Sequence, residues 1–202
     1  MRKTDPERHE ARRQHILKAA LACFSAKGFH RTSTAEICAE AGMSPGNLFH
    51  YFPTKQAIIA AIVDAERNDI AAHFADALKA DDLFGELLGF LDIVLALAAD
   101  PAYARLALDI SAEAMRDADI GERMARSDAA LRAALTALIA AAGTRGQVDR
   151  SIDPPAAACW IAALVDGVFG RVAVDPEFRP KAEAAMLRLI VTRFLAPPGP
   201  NR

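Results

Sequence analysis

The sequence predicts an all-α fold of about nine helices, and three observations carry that reading. No stretch of alternating β-branched residues lies between turn signals, while Ala, Leu, Arg, Glu and Asp dominate. Apolar residues recur at three- and four-residue spacing along most of the chain. Helix-start signals, Ser or Thr caps and Asp-Pro steps, punctuate these stretches.

Taken in order, the first helix runs from near Pro6 to Lys27, with Ile16, Ala19, Ala20, Cys23 and Phe24 on one face and Gly28 as its stop. The second opens with Ser33 and Glu36 in capping-box spacing and turns Ile37 and Ala41 inward. Gly42 makes a turn. Ser44 caps the third helix, Pro45 takes its first position, and Pro53 ends the segment. Thr54 caps a long fourth helix through about Ala80, and Asp81 or Asp82 starts the fifth. Asp100-Pro101 opens the sixth, to about Arg116. The seventh spans about Asp119 to Ala142, with Ile120, Met124, Leu131, Leu135 and Leu138 as one stripe. Asp153-Pro154-Pro155 opens the eighth, to about Val172, and Asp175-Pro176 the ninth, to about Leu195. The expected domains are 1–54, 55–196 and a frayed tail at 197–202, where Pro197, Pro198 and Pro200 cannot continue a helix.

The chain has 202 residues, 52% of them hydrophobic and 25% charged, enough for one large or two small domains with a real core. No apolar run reaches the roughly 18 residues of a membrane span. The charged start lacks the apolar region of a signal peptide, so a cytoplasmic protein with no membrane partner is expected. Cys23, Cys38 and Cys159 have no metal or redox spacing and read as small buried hydrophobes; no metal or cofactor is expected. Charge is uneven: residues 1–55 hold nine Lys/Arg against five Asp/Glu and four of the five histidines, while the remainder is acidic. A basic end on an acidic body suits contact with nucleic acid at that end.

Residues 28–55 read as two short helices joined by a tight turn, a helix-turn-helix that places its second helix in the DNA major groove. Cys38 is small at the close crossing point, and Ile37, Ala41, Met43 and Leu48 fill the core beneath. Ser33, Thr34 and Ser44 lie at helix starts, where free N–H groups favour phosphate, although Ser33 and Ser44 would cap helices in any setting. His50 and Tyr51 offer donors at the far end, and Lys55 a full charge. Pro45, Gly46 and Asn47 form the leading edge: Asn47 can pair with adenine, Pro45 can lie on a thymine methyl, and Gly46 permits close approach.

This segment resembles the DNA-binding signature of TetR-family transcriptional regulators. Gly28, Phe29, Thr32, Ser33, Ile37, Ala41, Gly42, Ser44, Gly46, Leu48, Tyr51, Phe52 and Lys55 fit directly. Cys38, Met43 and Phe49 depart from the usual Ala, Val and Tyr. The last removes a hydroxyl and leaves Phe49 a ring to pack on the sugar. Beyond the motif the likeness is architectural, nearest to the BetI and AcrR-like subgroup.

The resemblance implies a homodimer through helices eight and nine, which reads a palindromic operator on double-stranded DNA. Candidate dimer residues are Trp160, Leu164, Val168, Met186, Leu189 and Phe194. It also implies a small-molecule effector among helices four to eight, with Phe74, Phe84, Phe90, Tyr103, Asp109, Glu113 and Trp160 as candidates. Asp109 and Glu113 share a face of the sixth helix; turned inward they would favour a cation beside Trp160 or Tyr103. The expectation is a ligand-responsive repressor without catalytic residues. Against it stands a small-molecule binding protein or enzyme keeping an inherited head. His73 is the only histidine of the body and has no neighbouring nucleophile motif in sequence.

Overall fold

The structure, a computed structural model, describes residues 6–197. Among them are nine α-helices: α1 (Pro6–Lys27), α2 (Thr34–Glu40), α3 (Pro45–Tyr51), α4 (Lys55–Ala77), α5 (Leu83–Ala98), α6 (Pro101–Ala114), α7 (Ala118–Thr144), α8 (Pro154–Val174) and α9 (Ala184–Leu195). Most of the proposed tail, residues 198–202, lies outside the described residues.

The caps read from sequence are made. Ser33 and Glu36 form the complete capping box, and Ser44 accepts from the Asn47 N–H. Thr54 Oγ1 accepts from Ala57, Asp82 from Gly85, and Asp153 from Ala156. Each satisfies an N–H that the helix leaves free, worth about 1 kcal/mol. The end of the chain differs from expectation. Asp175 does not open the ninth helix; it ends α8 and pairs with Arg171. Pro176 and Pro180 lack the N–H groups that a continuing helix needs, so a 3-10 turn at Pro180–Glu183 intervenes and α9 begins at Ala184.

The chain packs as two compact units, Met1–Ala65 with Arg105–Met124, and Glu66–Ala104 with Ala125–Arg202. The core of the first unit combines Ile16, Leu17, Ala20 and Phe24 of α1, Ile37 and Cys38 of α2, Leu48 of α3 and Ile58, Ile59, Ile62 and Val63 of α4. Leu106 and Ile110 of α6 and Ile120 of α7 complete it. Burying each large aliphatic side chain contributes about 1.5–3 kcal/mol.

In the second unit, α5 is the centre: Leu83, Leu87, Phe90, Leu91, Val94, Leu95 and Ala98 are all buried. Phe74, Leu135, Leu138, Ile161, Val165, Leu187, Val191 and Leu195 pack in the same core. Gln147 closes one end, accepting from the Leu83 and Phe84 N–H groups at 2.9 and 3.3 Å and donating to the Asp81 carbonyl at 2.7 Å. Arg188 of α9 grips Asp92 of α5 with two hydrogen bonds.

Helix α8 is two-faced. Ala157, Ala158, Ile161, Ala162, Val165 and Val168 face inward, whereas Cys159 and Trp160 are exposed. Cys159 is therefore not a buried hydrophobe. Val168, only 8% exposed, packs in its own subunit's core and leaves the set of dimer candidates. By length and composition α8 is apolar enough to cross a membrane. It also carries Asp166 and Arg171, and its inner face is part of the core.

Candidate nucleic-acid interface

Helix α3 is fixed by a small number of inward groups. Leu48 is fully buried and Phe52, just past the helix, is 2% exposed. Gly42 takes φ +59° between α2 and α3, a conformation that favours glycine, and the Met43 N–H returns to the Cys38 carbonyl at 2.9 Å. With Leu48 as the anchor, Ser44, Pro45, Gly46, Asn47, Phe49 and His50 are all exposed. Phe49 keeps 46% of its surface open, an aromatic ring that no core consumes. Asn47, which projects from the helix's first turn, has the donor and acceptor needed for a base edge.

Tyr51 is half-buried, and its ring packs between two histidines, with centroids 4.8 Å from His9 and 5.3 Å from His50. Four residues on from His9, the Arg13 guanidinium lies 4.6 Å over the Phe52 ring. The His9 ring and the Arg13 guanidinium of α1 thus border the end of α3. The sequence reading missed His9. Its spacing from Arg13 was legible, but the aromatic partners lie forty residues away and only the fold unites them.

At the start of α2, Ser33 is exposed and Thr34 half-buried. Lys27 pairs with Glu36, which also accepts from the Ser33 N–H at 2.8 Å. These contacts hold the Glu36 carboxyl down at about 2, the Lys27 hydrogen bond contributing most. Thr32 is buried and structural: its hydroxyl bonds the Gly28 carbonyl at 2.9 Å.

Lys55 differs from the sequence picture of a free charge. Its ammonium donates to the Phe29 and Thr32 carbonyls at 2.8 and 2.9 Å and sits 4.4 Å over the Phe29 ring. Desolvation pulls its pKa down, partly opposed by the charge of Glu113. Two of its three protons stitch the turn between α1 and α2, so a phosphate role is limited to the third.

The seven effector candidates do not gather in one pocket; Phe84 is half-buried against the second unit's core. Phe74 and Phe90 are core residues, 2% and 6% exposed with rings 5.0 Å apart. Tyr103 donates to Glu66, and burial together with that carboxylate pushes its phenol strongly upward. Trp160 is 67% exposed. Asp109 accepts from the Phe29 N–H at 3.0 Å, and Glu113, 7% exposed, lies 3.3 Å from His30. Both carboxylates therefore belong to the first unit and engage the helix-turn-helix, not a pocket in the second. An open groove of about 340 Å³ in the second unit, lined by Ile139, Thr144, Asp149, Arg150 and Ile152 among others, includes none of the seven. Among the described residues, no cluster of His, Cys, Asp and Glu could hold a metal ion.

A model of the bacterial regulatory proteins of the tetR family matches residues 16–62, and one of the C-terminal region of BetI-type transcriptional repressors matches residues 86–196. The chain belongs to the TetR family. ArpR of Pseudomonas putida, a probable HTH-type transcriptional regulator, is 30% identical over 191 residues, covering 88% of this chain and 87% of that protein. The solved structure of Salmonella enterica GusR superposes with a TM-score of 0.75 at 31% identity, over 96% of this chain and 99% of that one. A complex of SmeT with triclosan shares the fold, with a TM-score of 0.75 and 24% identity over 94% and 93% of the chains. This TetR-family chain is thus a transcriptional regulator with a DNA-binding helix-turn-helix.

Proposed function

We propose that this regulator is a ligand-responsive repressor that binds a palindromic operator as a homodimer in the cytoplasm and lets go when a small molecule binds. One observation carries the reading: Leu48, fully buried, and half-buried Tyr51 anchor α3 inward, and Pro45, Gly46, Asn47, Phe49 and His50 are left exposed for a groove. Residues 1–54 act as the reading head and 55–196 as the effector and dimer region. Asn47 reads a base; Ser33, Thr34, Ser44, His50 and Tyr51 hold phosphates; Phe49 packs on sugar; Lys55 adds charge from behind the turn.

Support for pairing through α8 and α9 comes from their uncovered apolar residues. Trp160 is 67% exposed, Met186 55%, Leu189 40% and Phe194 40%, and Leu164 is half-buried. Contiguous exposed apolar surface is uncommon on monomers and marks interaction faces. Two heads then meet half-sites about one DNA turn apart. Support for an effector in the second unit comes from His73 Nε2 and Ser127 Oγ, buried polar atoms without hydrogen-bond partners. Effector binding favours the state that does not fit the operator, and α4 transmits the difference as a tilt.

Selection of duplexes from a random library, followed by gel-shift with a small-molecule panel, tests the reading. Enriched palindromes released by a ligand support it. Absence of any DNA binding would favour the alternative, a small-molecule binding protein or enzyme retaining the head.

A further inference from the structure

A turn of five residues, Gly28 to Thr32, joins α1 to the cap of α2, and it is held from both sides. Gly28 adopts φ +83°. The Phe29 N–H donates to Asp109 Oδ2 of α6 at 3.0 Å. A Cβ on Gly28 would stand 3.1 Å from that same oxygen, so the bare backbone is what admits the carboxylate. Lys55 takes the carbonyls of Phe29 and Thr32. Glu113, one helical turn past Asp109, is 7% exposed, lies 3.3 Å from His30 Nε2 and supplies negative charge toward Lys55. Leu106 and Ile110, flanking Asp109 on α6, are 2% and 5% exposed within the first unit's own core. This part of α6 is therefore anchored in the unit that carries α2 and α3.

We propose that Asp109 is a positioning residue for DNA binding. It fixes the Phe29 peptide, and through it the cap at Ser33 and the start of α2, against which α3 packs. The inference rests on the DNA-binding reading of α3. It makes a prediction of opposite sign to simple electrostatics. A carboxylate on a DNA-binding unit repels phosphate, so deleting one that has no other role tightens binding. Deleting one that holds the turn weakens binding.

The test uses the full chain and a duplex selected on the wild type, with affinity read by fluorescence anisotropy across a salt series. Asp109→Ala is expected to lose about 10-fold or more in affinity. The slope of log affinity against log salt stays unchanged, because no phosphate contact is removed. Asp109→Asn retains an oxygen that accepts the same N–H and is expected to stay within about threefold of wild type. Wild-type-like or tighter binding by Asp109→Ala overturns the proposal, as does a loss in Asp109→Asn equal to that of the alanine variant. Should the alanine variant fail to fold, amide exchange at Phe29 in Asp109→Asn decides. Protection supports the proposal; exchange as fast as in an unfolded chain overturns it. A wild type that binds no duplex defeats the DNA reading itself, a result distinct from a wild type that binds while Asp109→Ala is unaffected.

Discussion

The Lys55 ammonium lies 4.4 Å above the Phe29 ring and donates to the Phe29 carbonyl at 2.8 Å. A residue that the motif offers as a phosphate contact is thereby also a structural clasp. Lys55→Ala removes two charge-assisted hydrogen bonds from a half-buried site, at a cost of about 1–3 kcal/mol to the first unit. Operator affinity falls for all sequences alike, but the salt slope changes by clearly less than the ~1 expected of a full phosphate contact. Thermal melting and salt-dependent anisotropy on the same variant measure both effects. A slope change of a full unit with unaltered melting would reinstate the free-charge role.

Asn47 stands exposed in the first turn of α3 with no core function. Asn47→Ala therefore leaves stability within about 0.5 kcal/mol and relaxes base preference at one position of each half-site, at about 1–3 kcal/mol of lost discrimination. Repeating the duplex selection with the variant checks this. Equal weakening on every sequence would show that Asn47 reads no base.

Leu48 is the counter-example on the same helix. It is completely buried, and Leu48→Ala is expected to cost about 2–5 kcal/mol of stability. Denaturant unfolding monitored by circular dichroism gives the number. A cost below about 1 kcal/mol would mean that α3 is held by something other than this side chain.

The helix-turn-helix was readable because its physics is local. Ser33 with Glu36, Gly42, and Ser44 with Pro45 each fix backbone within four residues, and the caps and turn fall where their spacing puts them. The α9 start was misread because an Asp-Pro step is the same local signal whether it opens a helix or ends one. The pairing of Asp175 with Arg171 and the second proline at Pro180 decided between them. Asp109 and Glu113 show the other limit. Their four-residue spacing correctly put both on one face of α6, but the partners of that face, Phe29 and His30, lie 80 or more residues earlier. Phe74, Phe90 and Val168 were legible as apolar and not as inner or outer, since periodicity marks a stripe without naming what covers it.

The Glu36 carboxyl is held near 2, against an ordinary value of 4.5, by Lys27 and by Ser33. A folded-state value below the unfolded one stabilises the fold above the unfolded pKa, and that contribution is lost as pH falls through the folded value. The loss is therefore expected between about pH 4.5 and 2. Glu36→Gln flattens this limb of the acid-unfolding curve. A side-chain titration of Glu36 by NMR with a midpoint near its ordinary value would remove the clasp from the account.

Pairing through α8 and α9 predicts that Trp160→Glu or Met186→Glu yields a folded monomer, because both side chains are exposed in the single chain. Sedimentation velocity reads the mass, and the melting temperature of the wild type rises with protein concentration. Dimers that persist in both variants would move the interface elsewhere.

The central claim is that the first turn of α3 lies in a major groove. Dimethyl sulfate probing of a selected duplex tests it most directly, because the reagent attacks guanine N7 in that groove. The account predicts N7 protection in two half-sites about one helical turn apart. Bound complexes in which every guanine N7 stays as reactive as in free DNA would contradict it.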